Sequence, residues 1–215
     1  MYLLERPIRL GIPVLDEYLG TLKPGTTILV EGSPNTYPYL LLHRIGYSIS
    51  KAGMRVTYIV LGDDVEDYRE AAINVGLDIR TAEREYLWEY YSAANIDELW
   101  NILNKELSKS VIIIDASSLA EMSYEGIMKL KHYAKTWNTC IFLQVTPNVI
   151  RDDVLLVMER LFDVIVELKV SIIGTEVRYL MLFKKHKKMP RKGLIVTYSI
   201  GAQGVRIEQL RKVPY

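Results

Sequence analysis

Thr26-Thr-Ile-Leu-Val-Glu31 runs into Gly32-Ser-Pro-Asn-Thr-Tyr-Pro-Tyr39. A short β-branched apolar run thus breaks on a glycine and two prolines and passes into a segment of helical period. The run reads as a buried strand. Leu41, Leu42, Ile45 and Ile49 fall on one stripe and predict a helix over Tyr39–Ser50. Outward from this unit the alternation recurs. Strands are predicted over Val56–Leu61, Arg84–Tyr91, Val111–Asp115 and Thr139–Val145, with helices over 64–76, Ile96–Leu107, Ser123–Trp137 and Arg151–Leu161. Asp64 looks like the N-cap of the first of these helices, with Asp67 as its box partner. Val111-Ile-Ile-Ile-Asp115 has no polar alternation, which implies burial on both faces. Strand and helix in turn indicate an α/β domain, a mostly parallel sheet with helices on its faces. Beyond residue 161 the helices stop. Asp163–Ile173, Thr175–Lys184, Gly193–Ile200 and Val205–Leu210 read as strands joined by turns, hence antiparallel hairpins. The expected organisation is one domain over 1–215, with a lead-in over 1–25, a core over 26–162 and a hairpin tail over 163–215.

Composition bounds the function. Of 215 residues 49% are hydrophobic and 25% charged, and 27 basic against 26 acidic residues leave a net charge of +1. A chain of this length buries roughly 70% of its unfolded surface, so it needs neither disulfides nor a structural metal. Its purely apolar runs reach four or five residues, against the ~20 of a membrane span. Met1-Tyr-Leu-Leu-Glu-Arg-Pro7 has no secretory pattern. A cytoplasmic location without membrane contact is expected. Cys140 stands alone in an apolar stretch and reads as packing, and no Cys/His spacing suggests a metal. Ten Asn and Gln in all hint at a thermophilic source.

A strand, a glycine-led loop and a helix are the setting of the phosphate-binding motif G-x-x-x-x-G-K-[ST]. Aligned to it, Gly32 keeps the first glycine, Tyr37 takes the second glycine position, Pro38 the lysine and Tyr39 the hydroxyl. Ser33, Asn35 and Thr36 fill the variable positions. Pro38 removes a cation and also a backbone N–H at the helix start. One charge-assisted bond is worth about 1.5–3 kcal/mol and a backbone donor about 1 kcal/mol, so nucleotide affinity should fall at least ~10²-fold. On these eight residues alone a proline-containing strand-to-helix turn is the favoured reading.

Further segments carry a resemblance. Gly11-Ile-Pro-Val-Leu-Asp-Glu-Tyr-Leu-Gly20 with Leu22-Lys-Pro-Gly25, Tyr58-Ile-Val-Leu-Gly-Asp-Asp64, and Tyr198-Ser-Ile-Gly-Ala-Gln-Gly-Val-Arg-Ile207 are similar to segments of the KaiC-like and archaeal RadA-paralogue branch of the RecA-like P-loop ATPases. The resemblance implies a RecA-like three-layer α/β/α domain whose Gly32 loop is a degenerate Walker A motif. It implies Asp115 as the Walker B acid, for which a capping role at the strand end is the competing reading, and it puts the paired catalytic acids on Gly62 and Asp63, with one acid missing, or on Asp63 and Asp64 in a register one residue on. Relatives reach a neighbour's nucleotide with a Lys and an Arg from the last strands. Lys184 matches the first and His186 replaces the second, and an imidazole lacks the planar fork of donors that a guanidinium presents. Gln144 falls where such proteins place a sensor of nucleotide state, or else satisfies loop backbone.

Lys184, Lys185, Lys187, Lys188, Arg191 and Lys192 make a basic run with no interleaved aromatic. Such a run suits phosphates or nucleic acid, or simply solvation. The near-zero net charge is a cancellation, because residues 62–98 hold 11 acids and 3 bases while residues 169–215 hold 11 bases and 2 acids. The leading expectation is a catalytically inactive paralogue acting as an accessory or regulatory subunit, within DNA recombination or repair. It would need no cofactor and would meet a protein partner or other copies head to tail. The alternatives are an active ATPase using ATP and Mg²⁺ in a rearranged site, and a nucleic-acid-binding accessory protein using the basic hairpin.

Overall fold

The computed structural model describes residues 8–104, 110–117, 122–187, 194–201 and 204–209. In chain order the elements are α1 (Pro13–Leu19), β1 (Thr27–Glu31), α2 (Pro38–Lys51), β2 (Arg55–Leu61), α3 (Val65–Asn74), α4 (Ile79–Arg84), β3 (Trp88–Ala93), α5 (Ile96–Leu103) and β4 (Ser110–Asp115). Then follow α6 (Tyr124–Thr136), β5 (Ile141–Val145), α7 (Asp152–Leu161), β6 (Val164–Ile173), β7 (Glu176–His186), β8 (Ile195–Gly201) and β9 (Gly204–Gln209). Among the described residues nine strands form one sheet in the order β3-β2-β4-β5-β1-β6-β7-β8-β9. Pairings from β3 to β6 are parallel, and those from β6 to β9 antiparallel.

Burial follows from the helices on both faces. β1, β4 and β5 are buried at every residue, as their unbroken apolar runs require. On one face Leu41, Leu42, Ile45 and Ile49 of α2 pack with Ile28, Val30, Tyr58 and Phe142. On the other, Leu99, Ile127, Leu130 and Met158 pack with Leu29, Ile59, Ile114 and Leu143. Gly46 lets α2 sit directly on Trp88, since a Cβ there would lie 2.8 Å from the indole ring.

The expected parallel core and antiparallel tail are both present. The strand expected over Arg84–Tyr91 is present but shifted, since only Trp88–Tyr91 of it lies in β3. Ile79 and Ala82 are three apart and both buried, and Asp78 caps the turn by accepting from Thr81 N, so a short helix forms over 79–84 and takes in Arg84. Tyr86 closes it in left-handed backbone at φ 56 and is 75% exposed. The strand begins only at Trp88. The lead-in segment also contains a helix that the sequence reading left unassigned, α1, whose Asp16 accepts from Leu10 N at 2.6 Å. The predicted helix end at Leu107 lies outside the described residues. None of the described helices is long and apolar enough to cross a membrane.

Candidate functional site

The C-terminal ends of β1, β5 and β4 lie side by side, with Val30 in register with Gln144 and Gln144 with Asp115. This edge of the sheet carries the loop of residues 32–37. Pro34–Thr36 form one 3₁₀ turn in which Thr36 N donates to Ser33 O at 2.9 Å and Tyr37 N to Pro34 O at 3.0 Å. The buried Thr36 side chain turns inward and donates to Ser33 O at 2.7 Å. From the far side Tyr198 donates its hydroxyl to Thr36 O at 2.6 Å. The turn is therefore closed on itself, and its interior holds the Thr36 side chain. A Cβ at Gly32 would meet Thr36 Oγ1 at 2.9 Å, so glycine serves close packing here.

Tyr37 adopts left-handed backbone at φ 49, and Pro38 starts α2 at its first position, where the missing N–H costs no helical bond. The Tyr37 ring meets Tyr179 edge-on at 5.9 Å and Tyr39 at 6.4 Å, and Tyr39 meets Tyr68 at 5.4 Å. A row of tyrosines thus crosses the helix start.

Behind the row lies Asp115, 1% exposed, accepting from Ser117 N at 3.1 Å and Ser117 Oγ at 2.6 Å. Burial pushes its carboxyl up to about 6, with Asp63 adding to the rise and the Ser117 bonds opposing it. Tyr68 hydroxyl reaches Asp63 at 3.3 Å and Ser117 at 3.4 Å. Asp64 instead caps α3, accepting from Glu66 N at 2.9 Å. Gln144 Nε2 donates to Gly32 O at 3.3 Å, which is the loop-satisfying geometry, while its Oε1 is buried without a partner.

Lys184 lies on the other face of the edge. Its ammonium pairs with Glu31 at 3.0 Å and with Glu159 of α7, and Glu31 is 2% exposed. Burial raises the Glu31 carboxyl and Lys184 opposes that rise. Lys185 donates to the Glu159 and Arg160 carbonyls at 2.6 and 3.0 Å. Lys187 is exposed just past β7, whereas Lys188, Arg191 and Lys192 lie outside the described residues. His186 Nδ1 is buried and unpartnered. The structure therefore gathers Gly32, Thr36, Tyr37, Tyr39, Asp63 and Asp115 at one place and holds Lys184 and Lys185 of β7 against α7. Among the described residues no His, Cys, Asp and Glu cluster could hold a metal.

Sequence reading missed Glu31, Tyr68, Ser117 and Glu159. Glu31 had a signal, a carboxylate ending a wholly buried strand, which demands a cation. Nothing in the sequence pointed to Glu159, because its pairing spans 25 residues.

No known family model and no curated protein matches the chain. Solved structures do. A KaiC-like protein from the hyperthermophilic archaeon Pyrococcus horikoshii OT3 superposes with a TM-score of 0.79 at 19% identity, covering 94% of this chain and 98% of that one. The flagellar accessory protein FlaH from Methanocaldococcus jannaschii superposes with a TM-score of 0.76 at 18% identity, covering 95% and 99%. This chain has the RecA-like fold of KaiC-type proteins.

Proposed function

We propose that this protein is a non-hydrolysing accessory or regulatory subunit that binds a protein partner and makes no use of ATP and Mg²⁺. One observation carries the reading, the self-closed 32–37 turn. A phosphate loop needs backbone N–H groups aimed inward, a lysine and a small hydroxyl. Here two of the N–H groups bond within the turn, Thr36 fills the interior, Pro38 offers neither N–H nor cation, and a tyrosine holds the hydroxyl position. The residues do not fit the nucleotide and its metal. An accessory role is also the one named for FlaH, which shares the fold. Lys184 and Lys185 spend their ammonium groups on Glu31 and α7, which favours a protein over nucleic acid as partner and weakens a role in recombination or repair.

Titration of ¹⁵N-labelled protein with ATP and Mg²⁺ into the millimolar range tests this. Amides of residues 32–39 other than Pro34 and Pro38, and those of 115–117, should not shift, and phosphate release should stay at background. Shifts there saturating below millimolar, or phosphate release lost in Asp115→Ala, would replace this reading with the active ATPase.

A further inference from the structure

We infer that Tyr37, Tyr39, Tyr68 and Tyr179, with Asp63 and Asp64, form a docking surface for a lysine- or arginine-bearing segment of another protein. The inference rests on the non-hydrolysing reading and names the chemistry of its partner. Where a phosphate loop presents positive charge, this chain presents aromatic faces and carboxylates. The rings stand in a row with centroids 5.4–6.4 Å apart, meeting edge to face, so π faces alternate along the surface. Aromatic faces are negative and attract cations. Asp63 and Asp64 are exposed, and among the described residues neither has an ion-pair partner. Tyr68 hydroxyl on Asp63 at 3.3 Å ties the carboxylate to the row. An anion would meet repulsion here. A guanidinium could stack on a ring while forking onto a carboxylate.

Tyr37 is the second observation. It is 38% exposed and held at φ 49, a backbone conformation that favours glycine. A side chain is strained there, yet its ring stays in the open between Tyr39 and Tyr179. Exposed, braced tyrosines of this kind dominate interface hot spots. Asp63, Asp64 and Asp67 are exposed on and just before α3, the helix that carries Tyr68, which complements a basic segment.

The test is amide-shift titration of the full chain with the peptide acetyl-Arg-Gly-Arg-amide, against acetyl-Glu-Gly-Glu-amide. Residues 37–40 and 63–68 should shift with the basic peptide only. Tyr37→Asn keeps a residue that tolerates left-handed backbone and should weaken binding about five-fold, as should Asp63→Asn. Equal binding by wild type and Tyr37→Asn, with both variants melting normally, would overturn the inference, as would shifts spread over 66–98 that spare 37–40. Shifts at 37–40 that grow with protein concentration and without peptide would make the occupant a second copy and also overturn it. Nucleotide-induced shifts at 32–39 would defeat the underlying reading separately, and they are measured without peptide.

Discussion

Lys184→Met should destabilise the fold by about 2–3 kcal/mol, and more at alkaline than at acid pH. Glu31 is 2% exposed, and its Oε1 already lacks a partner, so the Lys184 ammonium at 3.0 Å is its principal compensation. Removing one partner of a buried pair costs roughly 3–5 kcal/mol. The figure is set lower because the Lys184 side chain keeps 32% of its surface in water. The sign with pH follows from linkage. Burial holds the Glu31 carboxyl above its usual range even with Lys184 present, and losing the cation raises it further. The folded state of the variant then binds more protons than the unfolded state, so stability is retained at low pH and lost as pH rises through the folded value. Urea unfolding at pH 5 and pH 8 reads this directly, and Glu31→Gln in the same chain should restore most of the loss. A loss below about 1 kcal/mol at pH 8, or one equal at the two pH values, would refute the ion pair as the reason Lys184 sits on α7.

Asp115→Asn should stabilise the protein above pH 7 by up to about 3 kcal/mol, because a carboxyl raised from 3.8 to about 6 penalises the folded state once ionised; the gain over wild type should vanish near pH 4 in urea titrations. His43 has the opposite sign. It is fully buried between Tyr39 O at 2.7 Å and Tyr90 hydroxyl at 2.9 Å, and burial lowers it from 6.5 to about 4. Wild type should lose up to about 3 kcal/mol as pH falls through that interval, and His43→Gln should abolish the slope. Gly46→Ala should cost about 1–3 kcal/mol in chemical unfolding, because its methyl would fall 2.8 Å from the Trp88 ring and 3.0 Å from Ile113.

Periodicity and burial made the parallel core legible. Val111–Asp115 has no polar residue until its end, and the structure buries all of β4. Leu41, Leu42, Ile45 and Ile49 marked the face of α2, and they pack as one stripe. The reading placed the start of the strand four residues early, at Arg84, where α4 is still ending and a left-handed Tyr86 precedes β3, although Trp88–Tyr91 is strand as expected. Strand propensity belongs to packed surfaces, and Tyr86 is 75% exposed. At the site, Pro38 and Tyr37 were informative because each removes a specific contact. The Tyr198 bond to Thr36 O and the partners of Lys184 were not legible, since both join residues far apart in the chain: Tyr198 lies 162 residues from Thr36, and Lys184 lies 153 from Glu31.

Three local costs converge on the edge of the sheet around the 32–37 turn. Tyr37 holds left-handed backbone with its ring exposed, Asp115 is a carboxyl raised by burial, and Gln144 Oε1 is buried without a hydrogen bond. A site that had become plain scaffold could relieve each cheaply, with glycine at 37, asparagine at 115 and an apolar residue at 144. Strain and unsatisfied polar groups cluster where function overrides local stability. Their presence beside the self-closed turn fits the proposed reading, in which this edge serves binding and not hydrolysis. On the proposed reading, the exposed Tyr37 ring and the exposed Asp63 and Asp64 carboxylates, which have no ion-pair partner among the described residues, set the class of what this edge meets. Such groups disfavour phosphate, whereas a cation gains both stacking and charge.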